Sequence, residues 1–167
     1  LRRRREEIGR TIAAEVGKAI RDALAEADRG VQTFQAAAEE ARRIAGEEIP
    51  IDLAPHGKGR LAFTRRFPIG PVAAISPFNF PFNLAAHKLA PSIAAGNPVV
   101  LKPASKTPLS ALILAEALDR AGVPKGALSV LPMSRATGER MVTDDRFKLL
   151  TFTGSSSVGW GMKARAG

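Results

Sequence analysis

Three groups of residues have types and spacing suited to chemistry. Asn79 lies in the run Pro77-Phe78-Asn79-Phe80-Pro81. An amide held in a rigid, apolar turn is a preorganised dipole, and as an oxyanion donor such a group contributes ~3 kcal/mol to a transition state. The same Asn can instead bond the backbone of its own turn. Lys102 closes a short apolar run just before Pro103. It can meet a ligand there, or only extend its charge from a strand end. The third group is Gly154-Ser155-Ser156-Ser157-Val158-Gly159, between a strand-like and a helix-like stretch. Free N–H groups and partial positive charge at a helix start suit a phosphate, although Ser155 would also serve as an ordinary N-cap. Trp160 and Gly161 stand where a P-loop needs Lys and Ser or Thr, and Ser156 breaks the G-x-G-x-x-G fingerprint.

The elements that must position these residues are legible in the patterning. Val72–Ile75, Val99–Leu101, Leu128–Leu131 and Lys148–Phe152 are short apolar runs separated by helix-compatible stretches. That order predicts buried parallel strands with crossover helices, an α/β doubly wound sheet. In such sheets ligands bind beyond the carboxyl ends of the strands, where Asn79 and Lys102 fall.

Upstream, Ile8, Ile12, Val16, Ile20 and Leu24 recur every four residues, with a helix boundary expected near Gly17. Val31, Phe34, Ala38, Ala41 and Ile44 form a second stripe, with Gly46 as its stop. Both helices are expected to pack on the sheet. Residues 50–55 and 60–67 read as extended segments around His56. Pro91 is expected to kink or restart the helix over 82–95, and His87 and Lys88 read as core or surface residues. Thr107-Pro108 reads as an N-cap followed by Pro at the first helical position.

The motifs together resemble the aldehyde dehydrogenase superfamily. Pro77-Phe78-Asn79-Phe80-Pro81 is similar to that family's Pro-(Trp/Phe)-Asn-Phe-Pro motif. Ala95-Gly96-Asn97, Lys102-Pro103-Ala104 and Phe152-Thr153-Gly154-Ser155 with Val158-Gly159 follow at the family's spacing. The resemblance implies a Rossmann-like fold in which residues 1–49 form N-terminal helices of the cofactor domain. Residues 50–67 would form an extended arm for oligomerisation, and residues 68–167 the core that binds NAD or NADP. It implies that Asn79 stabilises the oxyanion of a thiohemiacetal. Ser76, Pro77, Phe78, Lys102, Ala104, Ser105, Phe152, Thr153, Gly154, Ser155 and Val158 would contact the cofactor. Many NAD-using members carry Glu where Ser105 stands, and Ser beside Lys102 and Lys106 would tolerate a 2′-phosphate. Ser134 departs from a family Gly, whereas Gly138 matches.

The implied reaction is oxidation of a small aldehyde to its acid, with acyl-phosphate or CoA-linked reduction as the alternative within the superfamily. A non-catalytic nucleotide-binding module is the alternative outside it. The family's nucleophile is a Cys and its general base a Glu in a Glu-Leu-Gly-Gly motif. The chain has no Cys, and its 167 residues stop before that motif is due. We therefore expect a fragment beginning upstream of Leu1, lacking the catalytic domain and inactive alone. The full-length protein is expected to be a cytoplasmic homo-oligomer with no secretory leader and no membrane partner.

Composition narrows the classes further. Without Cys and with only two His, a metal site has little to build on. The net charge of +9 raises the question of nucleic acid. The basic residues lie among acidic ones, without interleaved aromatics, so no nucleic-acid partner is expected. Arg2–Arg5 reads as a solvated helix start.

Overall fold

The structure is a computed structural model, and it describes residues 1–166. A turn of 3-10 helix at Arg2–Arg4 leads into α1 (Arg5–Val16) and α2 (Ile20–Ala41). A short antiparallel pair follows, β1 (Glu48–Ile49) and β2 (Ala62–Phe63), with His56 in the 3-10 turn Pro55–Gly57 between them. Then come β3 (Val72–Ile75), α3 (Pro81–Ala94), β4 (Val99–Lys102), α4 (Leu109–Arg120) and β5 (Leu128–Val130). The short α5 (Arg135–Glu139), a 3-10 turn at Arg140–Val142, β6 (Leu149–Phe152) and α6 (Ser156–Ala166) complete the order.

The main sheet is parallel, in the order β5-β4-β3-β6. Both faces are covered, which is why the strands read as unbroken apolar runs. Val72 and Ala74 join Val99 and Leu101 in the larger core with Phe82, Leu89 and Leu114. One residue further on, Ile75 faces the other way and packs with Val142 and Met162. The four strands and their connecting helices lie where the patterning puts them.

The N-terminal helices depart from their stripes. Gly17 does end α1, in the left-handed region at φ 70°. Ile8 and Ile12 are fully buried, but Ile20, across the break, is exposed. On α2 the inward face is Ala23, Glu26, Ala27 and Gly30, while Ala38, Ala41 and Ile44 are exposed. Small residues won this face because α2 lies close along α3. A Cβ on Gly30 would fall 2.4 Å from the Phe82 ring. The helix ends at Ala41, so Gly46 is not its stop. These helices pack chiefly on α3 and α4 rather than directly on the strands.

Three further expectations change. α3 runs through Pro91 without a break, since the missing donor falls on its exposed side. Thr107 does not cap α4, and its buried hydroxyl has no partner among the described residues. The cap comes from α1: the Glu15 carboxylate accepts the Leu109 and Ser110 N–H groups and the Ser110 hydroxyl. The Arg run is not simply solvated. Arg4 pairs with Glu7 and with Glu116 on α4, and Arg5 pairs with Asp28 on α2.

Candidate cofactor cleft and oxyanion loop

The chain runs β3, β4, β5 across the sheet in one direction, then returns to place β6 on the free side of β3. The connections therefore diverge between β3 and β6. This is a topological switch point, where the loops leave a crevice at the carboxyl ends of the strands. The strand register aligns Ile75 with Lys102 on one side and with Phe152 on the other. Ser76 N–H donates to the Lys102 carbonyl at 3.2 Å, and Thr153 N–H donates to the Ile75 carbonyl at 3.2 Å. Three segments far apart in sequence thus end at one level.

After β3, Ser76 is buried and its Oγ has no partner among the described residues. Pro77 is half-buried, while Phe78 and Asn79 are exposed. No hydrogen bond engages the Asn79 side chain among the described residues, so its turn does not consume the amide. Its backbone carbonyl, by contrast, accepts from Lys18 Nζ at 3.0 Å.

After β4, Lys102 is only 8 % exposed. Its Nζ reaches the Pro103 carbonyl at 3.4 Å and no carboxylate among the described residues. Burial lowers its pKa by desolvation. Ala104 is half-buried. Ser105 is exposed, with its hydroxyl 3.4 Å from the Met133 carbonyl.

After β6, Thr153 is half-buried, and Gly154 and Ser155 are exposed at the start of α6. The Phe152 ring folds against this turn. A Cβ on Gly154 would lie 2.4 Å from its Cζ, so a larger residue there would displace the ring. Val158 packs with the Ile75 and Met162 cluster beneath the sheet.

Two residues of this region were not expected at the site: Lys88 read as a core or surface residue, and Glu26 was not named. Lys88 is 4 % exposed and donates to the hydroxyls of Thr151 and Thr153 at 3.2 and 3.0 Å. With no carboxylate partner among the described residues, burial lowers its pKa to about 8. Its signal lay in the row Pro81, Ala85, Lys88, Ser92, which follows one face of α3 and is buried throughout. Glu26 is fully buried among the small residues of α2 and accepts the Phe82 and Asn83 N–H groups at 3.0 and 3.2 Å. It supplies the acceptors that the first turn of α3 otherwise lacks. The described residues contain no group of His, Cys, Asp and Glu able to hold a metal ion, and no helix long and apolar enough to cross a membrane.

A parallel α/β sheet with polar loops converging at its switch point defines an α/β protein with a ligand crevice at the carboxyl ends of its strands. The comparisons make the class specific. The family model "Aldehyde dehydrogenase family" matches residues 1–167, and the chain belongs to that family. It is 50% identical over 165 residues to 3-sulfolactaldehyde dehydrogenase from Priestia aryabhattai, covering 98% of this chain and 35% of that protein. Its fold matches the crystal structure of aldehyde dehydrogenase 21 from Physcomitrella patens in complex with the reaction product succinate. The TM-score is 0.95 at 56% identity, over 99% of this chain and 35% of that one. It also matches the glyceraldehyde-3-phosphate dehydrogenase GapN from Methanocaldococcus jannaschii complexed with NADP, at TM-score 0.90 and 40% identity, over 99% of this chain and 36% of that one. The chain thus spans about a third of the length of these relatives.

Proposed function

We propose that this chain forms the cofactor cleft and one half of the oxyanion site of an NAD(P)-dependent aldehyde dehydrogenase. Its substrate is a short aldehyde bearing an anionic group. The observation that carries this reading is a free Asn79 amide on the loop after β3 and a desolvated Lys102 at the end of the neighbouring β4, both at the carboxyl end of the parallel sheet.

The residues fit a nicotinamide dinucleotide. Ser76 offers a buried hydroxyl without a partner, Lys102 an ammonium with one long hydrogen bond, and Ser155 a hydroxyl at a helix start. Lys102, Ala104 and Ser105 hold the adenosine side. Gly154 and Ser155, with Phe152 and Thr153, would hold the pyrophosphate side, Val158 would back them from the cluster with Met162, and Ser76, Pro77 and Phe78 would line the cleft. When bound, the cofactor supplies the hydride acceptor. Ser105 beside Lys102 leaves room for a 2′-phosphate, which supports use of NADP as well as NAD.

The chemistry of this chain's own residues is electrostatic. Asn79 donates its side-chain N–H to the aldehyde oxygen as negative charge develops there, in a geometry set before substrate arrives. The attacking thiolate and the base that activates water come from polypeptide outside these residues, which hold no Cys. An anionic substrate is supported by the relative that acts on sulfolactaldehyde and the neighbour that holds succinate. It is also supported by Arg29, which lies 5.1 Å from the Phe80 ring centre and pairs with no carboxylate among the described residues. The arm over 50–67 exposes Leu53, Leu61, Phe63 and Phe67, which supports its role as an oligomer contact.

The test is Asn79→Ala in the full-length enzyme. kcat is expected to fall by about a hundredfold, as for the loss of one oxyanion donor, with little change in the affinity for NADP. Unchanged turnover overturns the assignment.

A further inference from the structure

Lys18 and Glu26 lie against the backbone of the Asn79 loop and the start of α3, and the proposed chemistry does not use them. Glu26 is fully buried, and Lys18 Nζ lies 2.6 Å from its Oε2. The same ammonium donates to the Asn79 carbonyl at 3.0 Å and sits 4.0 Å from the Phe80 ring centre. The other carboxylate oxygen, Oε1, holds the N–H groups of Phe82 and Asn83. Each residue from Asn79 to Asn83 other than Pro81 is therefore anchored to this pair. Gly17, with φ 70°, makes the left-handed turn that brings Lys18 in from the end of α1.

We infer that Lys18 and Glu26 are positioning residues for Asn79: the ion pair fixes the backbone on which the oxyanion-binding amide is mounted. The inference rests on the assignment of Asn79 made above. A buried ion pair is weak evidence for stability, because desolvation offsets much of the attraction. Here its use lies in geometry. An amide fixed in advance needs no reorganisation as charge develops, and a loop free to rotate loses that benefit. Among the described residues the hydrogen bonds of the pair reach none of the cleft residues after β4 and β6, so cofactor affinity is expected to change far less than turnover.

The experiment is a double-mutant cycle in the full-length enzyme, with kcat, NADP affinity by direct titration, and thermal unfolding measured on each variant. Lys18→Met is expected to lower kcat about tenfold, the effect of a misplaced catalytic group, while the Kd for NADP stays within about twofold. Lys18→Arg, which keeps the charge, recovers most of the loss. In the Asn79→Ala background, Lys18→Met costs less than about twofold, because the amide it positions is gone. Equal losses in both backgrounds, or no loss in the wild-type background, overturn the inference while leaving the role of Asn79 intact. Full turnover in Asn79→Ala alone overturns the oxyanion assignment and this inference with it. If Lys18→Met does not fold, Glu26→Gln carries the same cycle, since it keeps an acceptor for α3 and removes the charge that holds Lys18.

Discussion

Gly138 and Lys102 are packed so closely that a Cβ on Gly138 would lie 2.4 Å from Lys102 Cδ and 2.6 Å from its Cε. α5 therefore presses its bare backbone onto the stem of the lysine that ends β4. Gly138→Ala relieves a helix of its glycine but displaces Lys102. The lysine side chain moves more cheaply than backbone, so the cost appears in binding rather than in folding. NADP affinity is expected to fall about tenfold, the worth of one charge-assisted hydrogen bond, with a thermal midpoint close to wild type. Isothermal titration with NADP checks it.

Ser105 is exposed near Lys106, at the position that would face the adenosine ribose. Ser105→Glu places a carboxylate where a 2′-phosphate would sit. The KM for NADP is expected to rise by about tenfold, from roughly 1–2 kcal/mol of like-charge repulsion, while the KM for NAD stays level or falls. Steady-state kinetics with each cofactor decide it.

Lys88 gives a pH signature. Burial holds its folded pKa at about 8, below the ordinary 10.5. Between those values the unfolded chain binds the proton and the folded chain does not, so stability rises with pH across that window. Below about pH 8 the full cost of burying the charge is present. Lys88→Met removes this dependence. The variant is expected to gain most relative to wild type near pH 7 and to lose that advantage as pH approaches 10.5. Denaturant midpoints at a series of pH values test the slope.

Glu15 ties α1 to the start of α4 through the Leu109 and Ser110 N–H groups and the Ser110 hydroxyl. Glu15→Ala leaves those donors at a helix N-terminus without a carboxylate. The loss is expected to be about 1–2 kcal/mol, as for removal of a helix cap, and a lowered thermal midpoint would report it.

The sequence by itself determined the elements and the motif positions. Four apolar runs mark the strands because a parallel sheet buried on both faces tolerates no polar alternation. Gly17 and Gly96 mark helix ends through positive φ, a local constraint legible one residue at a time. Asn79, Lys102 and Ser155 stand at strand ends or helix starts, so their placement near one crevice also followed from local order.

Only the tertiary structure decided which polar groups satisfy one another. Glu26 meets the start of α3 across 56 residues of sequence, Lys18 meets Asn79 across 61, and Glu15 meets α4 across 94. Thr107 offered a better local signal for a cap than Glu15, and the distant carboxylate won because packing α1 on α4 delivered a charged acceptor to free N–H groups. The inward face of α2 was misjudged for the same reason. Large apolar residues mark burial by area, but the close approach of α2 to α3 selected Ala and Gly instead. Local patterning specifies what a segment becomes; the partner of a buried charge is set by contacts that exist only once the layers have packed.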